Sequence, residues 1–258
     1  MENKNIVIIT DCIDIAFNEV YAVIDSLLTK NNVKDFKIHP IVSVKNFSII
    51  NASFAIRLMA DLYRENTYFL VIVSATRDSS ERIFGRTKHG ITFVGNNSGY
   101  FGWMLKDFGC EYVYKNKQTK DVGYKSFGGK FVQAPTLVDL LIQKDKSLLG
   151  EKIQNDDLRS ICIQDGTVVH CDNFGLMKIK SQNNYELKEF DQVQILINDN
   201  PTLKATFSKT MKNHEDGSWI LYPGSSIDGL LELGKVRNNN SAQEINVREG
   251  DIIKWLKI

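Results

Sequence analysis

The sequence predicts an α/β domain with a parallel-rich sheet, followed by an all-β, barrel-like domain. Three observations carry that expectation. The chain opens on Ile6-Val7-Ile8-Ile9, four consecutive apolar β-branched residues. Such a strand suits the centre of a parallel sheet with helices over both faces. The first eighty residues then alternate strand and helix patterns. Near Lys144-Asp145-Lys146 and Gly150-Glu151 the composition changes, and short alternating segments with turn residues between them take over. Residues 1–145 are therefore read as the α/β domain and 146–258 as the β domain.

The opening strand ends in Thr10-Asp11, a hydroxyl and a carboxylate at its carboxyl end, where open α/β sheets bind ligands. A carboxylate there can accept two hydrogen bonds at once, as from the vicinal hydroxyls of a ribose. The plainer alternative is that Asp11 caps the next helix. From Ile13 to Lys30, the residues Val20, Val23, Ile24, Leu27 and Leu28 recur at helical spacing. A short strand is expected over Val33–Ile41, interrupted by Pro40, and a second helix over Asn46–Tyr63. Tyr68–Val73 reads as another buried strand ending in the polar stretch Ser74–Ser80, which crossover rules place on the same sheet edge as Asp11. Gly90–Gly95 is a further strand and Tyr100–Phe108 a short helix. Phe127-Gly128-Gly129-Lys130 reads as a flexible loop before a helix from Pro135 to Ile142. In the second half, Arg159–Ile163, Thr167–Cys171, Val193–Ile197 and Trp219–Tyr222 read as strands.

With 32 basic and 31 acidic residues, a net charge of +1 gives no bulk electrostatic drive toward nucleic acid or a membrane surface. The four cysteines, Cys12, Cys110, Cys162 and Cys171, lack metal-site spacing, so no metal centre is expected and reduced thiols in a cytoplasmic protein are. Met1–Lys4 leads straight into a strand, so no signal peptide is expected, and runs such as Phe69–Val73 are too short to cross a bilayer.

Five stretches in order resemble the S-adenosylmethionine hydroxide adenosyltransferases, the family that includes the fluorinating and chlorinating halogenases. Ile9-Thr10-Asp11 resembles its opening TDFG, and Phe93-Val94-Gly95-Asn96-Asn97-Ser98-Gly99 its FVGPDNG. Val169–Gly175 is similar to IDxFGN, Gly224–Leu233 to a lengthened GSxGxLEIA, and Asn239–Ala242 with Arg248–Asp251 to NGGSA…GD. The resemblance implies a Rossmann-like first domain, a β-barrel second domain, and a homotrimer with sites between subunits. It implies S-adenosylmethionine, or an adenosine-like molecule, as substrate or ligand, with no separate cofactor. On that resemblance Asp11 holds the ribose hydroxyls, and Asn97 and Ser98 lie on the ligand side. Asp172 pairs with the methionine ammonium beside Phe174, Ser225 or Ser226 touches the methionine end, and Asn240 to Ala242 present backbone groups to adenine. A turn role is the alternative for Asp172.

The sequence departs from that family at the triad with which its hydrolases activate water. Ser74 stands at the acid's position, Glu81 and Arg82 at the paired arginines, and Gly128 at the histidine. Serine is no carboxylate base and glycine accepts no proton. Ser74, Asp78, Arg82 and Lys130 are the remaining candidates for catalysis. Displacement at the 5′ carbon of a sulfonium needs little acid assistance, since the departing thioether is neutral, so positioning and desolvation supply the acceleration. The expected function is SAM hydrolase-like cleavage to adenosine and methionine, or a variant adenosyl reaction. The alternative is a non-catalytic adenosyl-binding relative.

Overall fold

In the computed structural model, which describes residues 4–63, 65–74, 81–117, 126–181 and 186–258, strand β1 (Lys4–Thr10) is fully buried from Ile6 onward. It pairs in parallel with β2 (Phe36–Ile38), β3 (Val42–Ser43) and β4 (Thr67–Ile72). The single strand expected over Val33–Ile41 is thus two, parted around Pro40, which has no N–H to lend a ladder. Helix α1 (Ile15–Lys30) starts at Asp14, whose carboxylate accepts from the Ala16 N–H at 2.9 Å. The capping role considered for Asp11 therefore belongs to Asp14. Helix α2 (Ile49–Leu62) is capped by Ser48, its Oγ accepting from Asn51 N at 3.2 Å.

Three strands then widen the sheet, β5 (Arg82–Thr87), β6 (Thr92–Asn96) and β7 (Cys110–Asn116), with helix α3 (Gly102–Phe108) between the last two. Strand β6 runs parallel to β4, whereas β5 lies antiparallel between β6 and β7. Residues 129–133 form a π-helical turn leading into α4 (Ala134–Leu141), where a flexible loop was expected. The close approach of Gly129 to the Ile72 side chain, 2.8 Å for an added Cβ, explains the glycine better than flexibility does. Helix α5 (Lys146–Leu149) precedes β8 (Gly150–Lys152), which pairs with β7 and so keeps this stretch with the first sheet. The strand order is β2-β1-β4-β6-β5-β7-β8, with β3 also on β1. One face packs Val7, Ile9, Phe69, Val71 and Phe93 against Ala52 and Ile56 of α2. The other packs Ile6, Ile8, Leu70 and Val94 against Ile24 of α1 and Leu137 of α4. This is the α/β layering that an apolar central strand demands.

The chain divides into two units, Met1–Ile161 and Cys162–Ile258. The second holds β9 (Val168–Cys171), β10 (Met177–Ile179), β11 (Gln192–Ile197), β12 (Asn200–Phe207), β13 (Trp219–Pro223), β14 (Leu231–Lys235), the short helix α6 (Ser241–Glu244) and β15 (Ile253–Lys257). They form one sheet in the order β15-β11-β12-β13-β14-β10-β9. A bridge between Thr167 and Ile252 brings the two edges together, so the sheet curls into a half-barrel. Val168, Met177, Val193, Ala205, Leu221, Leu231 and Ile253 fill its core. No strand forms over Arg159–Ile163. That stretch is held instead by the Asn97 side chain and by close packing of Ser160 and Ile161 on Gly102 and Gly99.

Candidate functional site

At the carboxyl edge of the first sheet, Thr10, Ile72 and the β6 terminus stand side by side, and Asp11 follows Thr10 into the edge. The Asp11 carboxylate is only 8% exposed. Its Oδ2 accepts from Phe47 N at 3.0 Å, and both oxygens accept from Ser74 N at 3.0 Å. Two loops leaving neighbouring parallel strands thus converge on one carboxylate, because both strands end at the same edge. Backbone amides fix its orientation while lone pairs remain for further donors. Beside it, burial raises the Cys12 thiol above its ordinary value, with the Asp11 charge adding to the effect, so the thiol stays protonated and weakly nucleophilic. The contribution of Ser74 is its backbone N–H, spent on Asp11.

Arg82 opens β5 opposite Asn96 in register. Its guanidinium lies against Gly128, where a Cβ would overlap it. Gly128 therefore makes room for an arginine. Among the described residues the Arg82 guanidinium makes no hydrogen bond or ion pair, and burial lowers its pKa. Glu81 turns elsewhere and pairs with Lys115, which holds its carboxyl below the ordinary range. Lys130 is tied to Glu19 of α1 at 3.0 Å. Asn97 is buried and its amide is committed, the Nδ2 donating to Asp157 O at 3.1 Å and the Oδ1 accepting from Arg159 N at 2.9 Å. The Ser98 N–H donates to Asn96 O at 2.9 Å. Asp78 lies outside the described residues.

In the second unit, the stretches singled out in the sequence come together. Asp172 Oδ1 accepts from Phe174 N and Leu176 N, each at 2.9 Å, closing a turn that leaves the Phe174 ring 56% exposed. Behind that turn, Ala242 N donates to Gly175 O at 3.0 Å, and a Cβ on Gly175 would reach Ser241 N at 2.5 Å. Gly175 also has φ +78, so glycine is required there twice over. Asn240 caps α6 and donates its own N–H to Asn238 Oδ1 at 2.7 Å. Glu249 Oε1 accepts from Cys171 N at 3.1 Å, linking the closing stretch to the same turn.

The residue that sequence reasoning missed here is Glu232. It is 5% exposed and bound by the Lys178 ammonium and the Tyr222 hydroxyl, each at 2.5 Å. Burial, followed by the Glu232 and Asp172 charges, pushes the Tyr222 hydroxyl far up. Gly224 sits on that carboxylate, 2.9 Å from Oε1 for an added Cβ. A glutamate inside the apolar β14 pattern was the available signal, since a buried carboxylate requires partners. Ser225 lines a neighbouring hollow of about 410 Å3 with Lys209, Lys212, Tyr222 and Arg237. Ser226 follows it in the same irregular connection before β14. Among the described residues no group of His, Cys, Asp and Glu is placed to hold a metal, and no helix is long and apolar enough to cross a membrane.

No protein-family model matches the chain, and no curated protein does. Solved structures do. An uncharacterized conserved protein from Thermotoga maritima superposes with a TM-score of 0.81 at 20% identity, over 97% of this chain and 100% of that one. A conserved hypothetical protein from Thermus thermophilus does so with a TM-score of 0.75 at 18% identity, over 99% and 100% of the two chains. At such identities the likeness shows the fold.

Proposed function

We propose that the protein binds S-adenosylmethionine or an adenosine-like molecule and acts at its 5′ carbon, as a SAM hydrolase or through a variant adenosyl transfer. The observation that carries this reading is Asp11, a carboxylate held by the amides of Phe47 and Ser74 at the carboxyl edge of β1. Both hydroxyls of a ribose can donate to the lone pairs that remain. Arg82, half-buried and without a partner among the described residues, would add positive charge where a nucleophile or a ligand carboxylate gathers negative charge. The first domain would then be Rossmann-like in use as well as in layering, and the site would be completed between subunits of a homotrimer. Four free cysteines accord with a cytoplasmic setting.

A second reading, a non-catalytic adenosyl-binding protein, is favoured by how the catalytic candidates are employed. The amide of Ser74 orients Asp11, the ammonium of Lys130 is bound to Glu19, and Gly128 carries no side chain. Incubation with S-adenosylmethionine, product analysis by mass spectrometry and a parallel thermal-shift titration separate the two. Adenosine with methionine, or another nucleoside, supports the enzyme. A thermal shift without products supports the binder, and neither response removes both.

A further inference from the structure

A second polar hollow, of about 500 Å3, opens at the end of the first sheet away from Asp11, over the starts of β4 and β6. Its floor is one row of side chains across four neighbouring strands. Tyr68 is opposite Thr92, Thr92 opposite Arg86, and Arg86 opposite Tyr112. Residues in register across a sheet project from the same face, so two phenols, a hydroxyl and a guanidinium point together. The wall comes from the end of α4 and the start of α5, with Gln143, Lys144 and Lys146. Gly90, at φ +86, closes the rim, and a side chain there would meet the Arg86 guanidinium at 3.5 Å.

The charges around this hollow do not cancel within it. Among the described residues that line it, Arg86, Lys144 and Lys146 are charged and no carboxylate is, with Glu65 packed outside against the Gly90 rim. Asp139 holds Lys144 at 2.6 Å, and Glu111 stands 3.6 Å from Arg86 Nε, beyond hydrogen-bond length. That Nε is buried without a hydrogen-bond partner among the described residues, so the terminal nitrogen, 3.5 Å from a Cβ added at Gly90, is the part of the guanidinium at the rim. Lys146 lies 4.7 Å from the centre of the Tyr112 ring and makes no ion pair among the described residues, although the Asp145 carboxylate beside it feels its charge. The carboxyl end of α4 contributes about half a negative charge, less than these cations supply. Burial raises the Tyr68 hydroxyl and pushes that of Tyr112 up to about 12, so both are neutral donors at ordinary pH.

We propose that this hollow is a binding site for a phosphate-bearing small molecule. A fork of guanidinium donors, an ammonium and two phenols approach from different directions, which suits a tetrahedral oxyanion better than a planar carboxylate. The volume leaves space for an organic group esterified to the phosphate. The site stands apart from the reading of Asp11 and does not depend on it.

Calorimetric titration of the full chain with inorganic phosphate and with glycerol phosphate tests it, against acetate and chloride at matched ionic strength. Both phosphates are expected to bind, and acetate to bind at least tenfold more weakly. Arg86→Gln and Lys146→Gln should each weaken phosphate about tenfold, the loss of one charge-assisted contact. Lys146, on the short α5, is the variant whose folding is least at risk. No phosphate binding at millimolar concentration, phosphate no tighter than acetate, or wild-type affinity in the folded Lys146→Gln protein would each overturn the assignment.

Discussion

At the scale of a single residue, Asp11 serves both the fold and the proposed ligand with one carboxylate. Replacing it with alanine removes the acceptor of the Ser74 and Phe47 amides. Leaving such donors without a partner costs about 1–3 kcal/mol, which urea unfolding of Asp11→Ala would read directly. The same variant should lose at least tenfold in affinity for S-adenosylmethionine. Undiminished affinity in the folded variant would remove the ribose assignment. A second residue carries a pH dependence. His39 is held by Asn5 Oδ1 at 2.8 Å and Tyr63 Oη at 3.1 Å, and burial, then Lys37, lowers its pKa below the usual 6.5. The folded state therefore binds the proton less readily than the unfolded chain. Its stabilising effect is complete above the unfolded value and is lost as pH falls from there through the folded value. Unfolding midpoints taken on both sides of neutrality should fall on the acid side in the wild type and fall less in His39→Phe. Equal slopes in the two proteins would show that other groups carry the acid sensitivity.

Among the elements, β5 is both the least legible and the least tolerant. Gly85 lies between β6 and β7, opposite Phe93 and Val113. A Cβ there would come within 2.5 Å of the Phe93 ring and 2.6 Å of the Tyr112 carbonyl oxygen. The ring can turn, but the carbonyl belongs to a ladder strand. Gly85→Ala should thus cost about 1–3 kcal/mol, the usual penalty of overpacking, and calorimetry showing an unchanged melting temperature would contradict the tight crossing. Strand β1 was legible because nothing but a doubly covered strand buries Ile6 to Ile9, and with it came Asp11 and the edge shared with Ser74. Strands β5 and β7 were not, since Arg82, Arg86, Glu111 and Lys115 interrupt the apolar pattern. Arg86 meets Glu111 and Lys115 meets Glu81 along β7, contacts too distant in sequence for local periodicity to encode. For the same reason the sequence offered Asn97 and Lys130 as site residues without revealing that Arg159 and Glu19 engage them. The Gly128-Gly129 pair read as flexible, whereas both are glycines because Arg82 and Ile72 crowd them.

On the scale of the whole molecule, the division at Ile161 and Cys162 has an energetic consequence. The second unit owns a core of Val168, Met177, Ile179, Val193, Ile195, Leu221, Leu231, Leu233 and Ile253, every one of them fully buried. Its sheet leaves little free edge, because the Thr167–Ile252 bridge and the Asp251 carbonyl, which accepts from Val168 N at 2.8 Å, close the gap between its ends. Its one buried carboxylate among the described residues, Glu232, finds Lys178 and Tyr222 within the same unit. A chain of this size with its own core and satisfied polar groups meets the requirements for independent folding. Residues 162–258 expressed alone should therefore unfold in a single cooperative transition, with a near-ultraviolet dichroism signal from Trp219 and Trp255. A fragment that binds a hydrophobic dye and lacks that signal would show that the half-barrel draws its packing from the first unit. Lys178→Met in the fragment sharpens the result. It strips Glu232 of its cation while the Tyr222 hydroxyl remains, so a buried charge is left undercompensated and the transition should shift to lower urea concentration. Restoring the balance with Glu232→Gln in the same fragment should recover most of that loss, because the neutral amide needs no ammonium beside it.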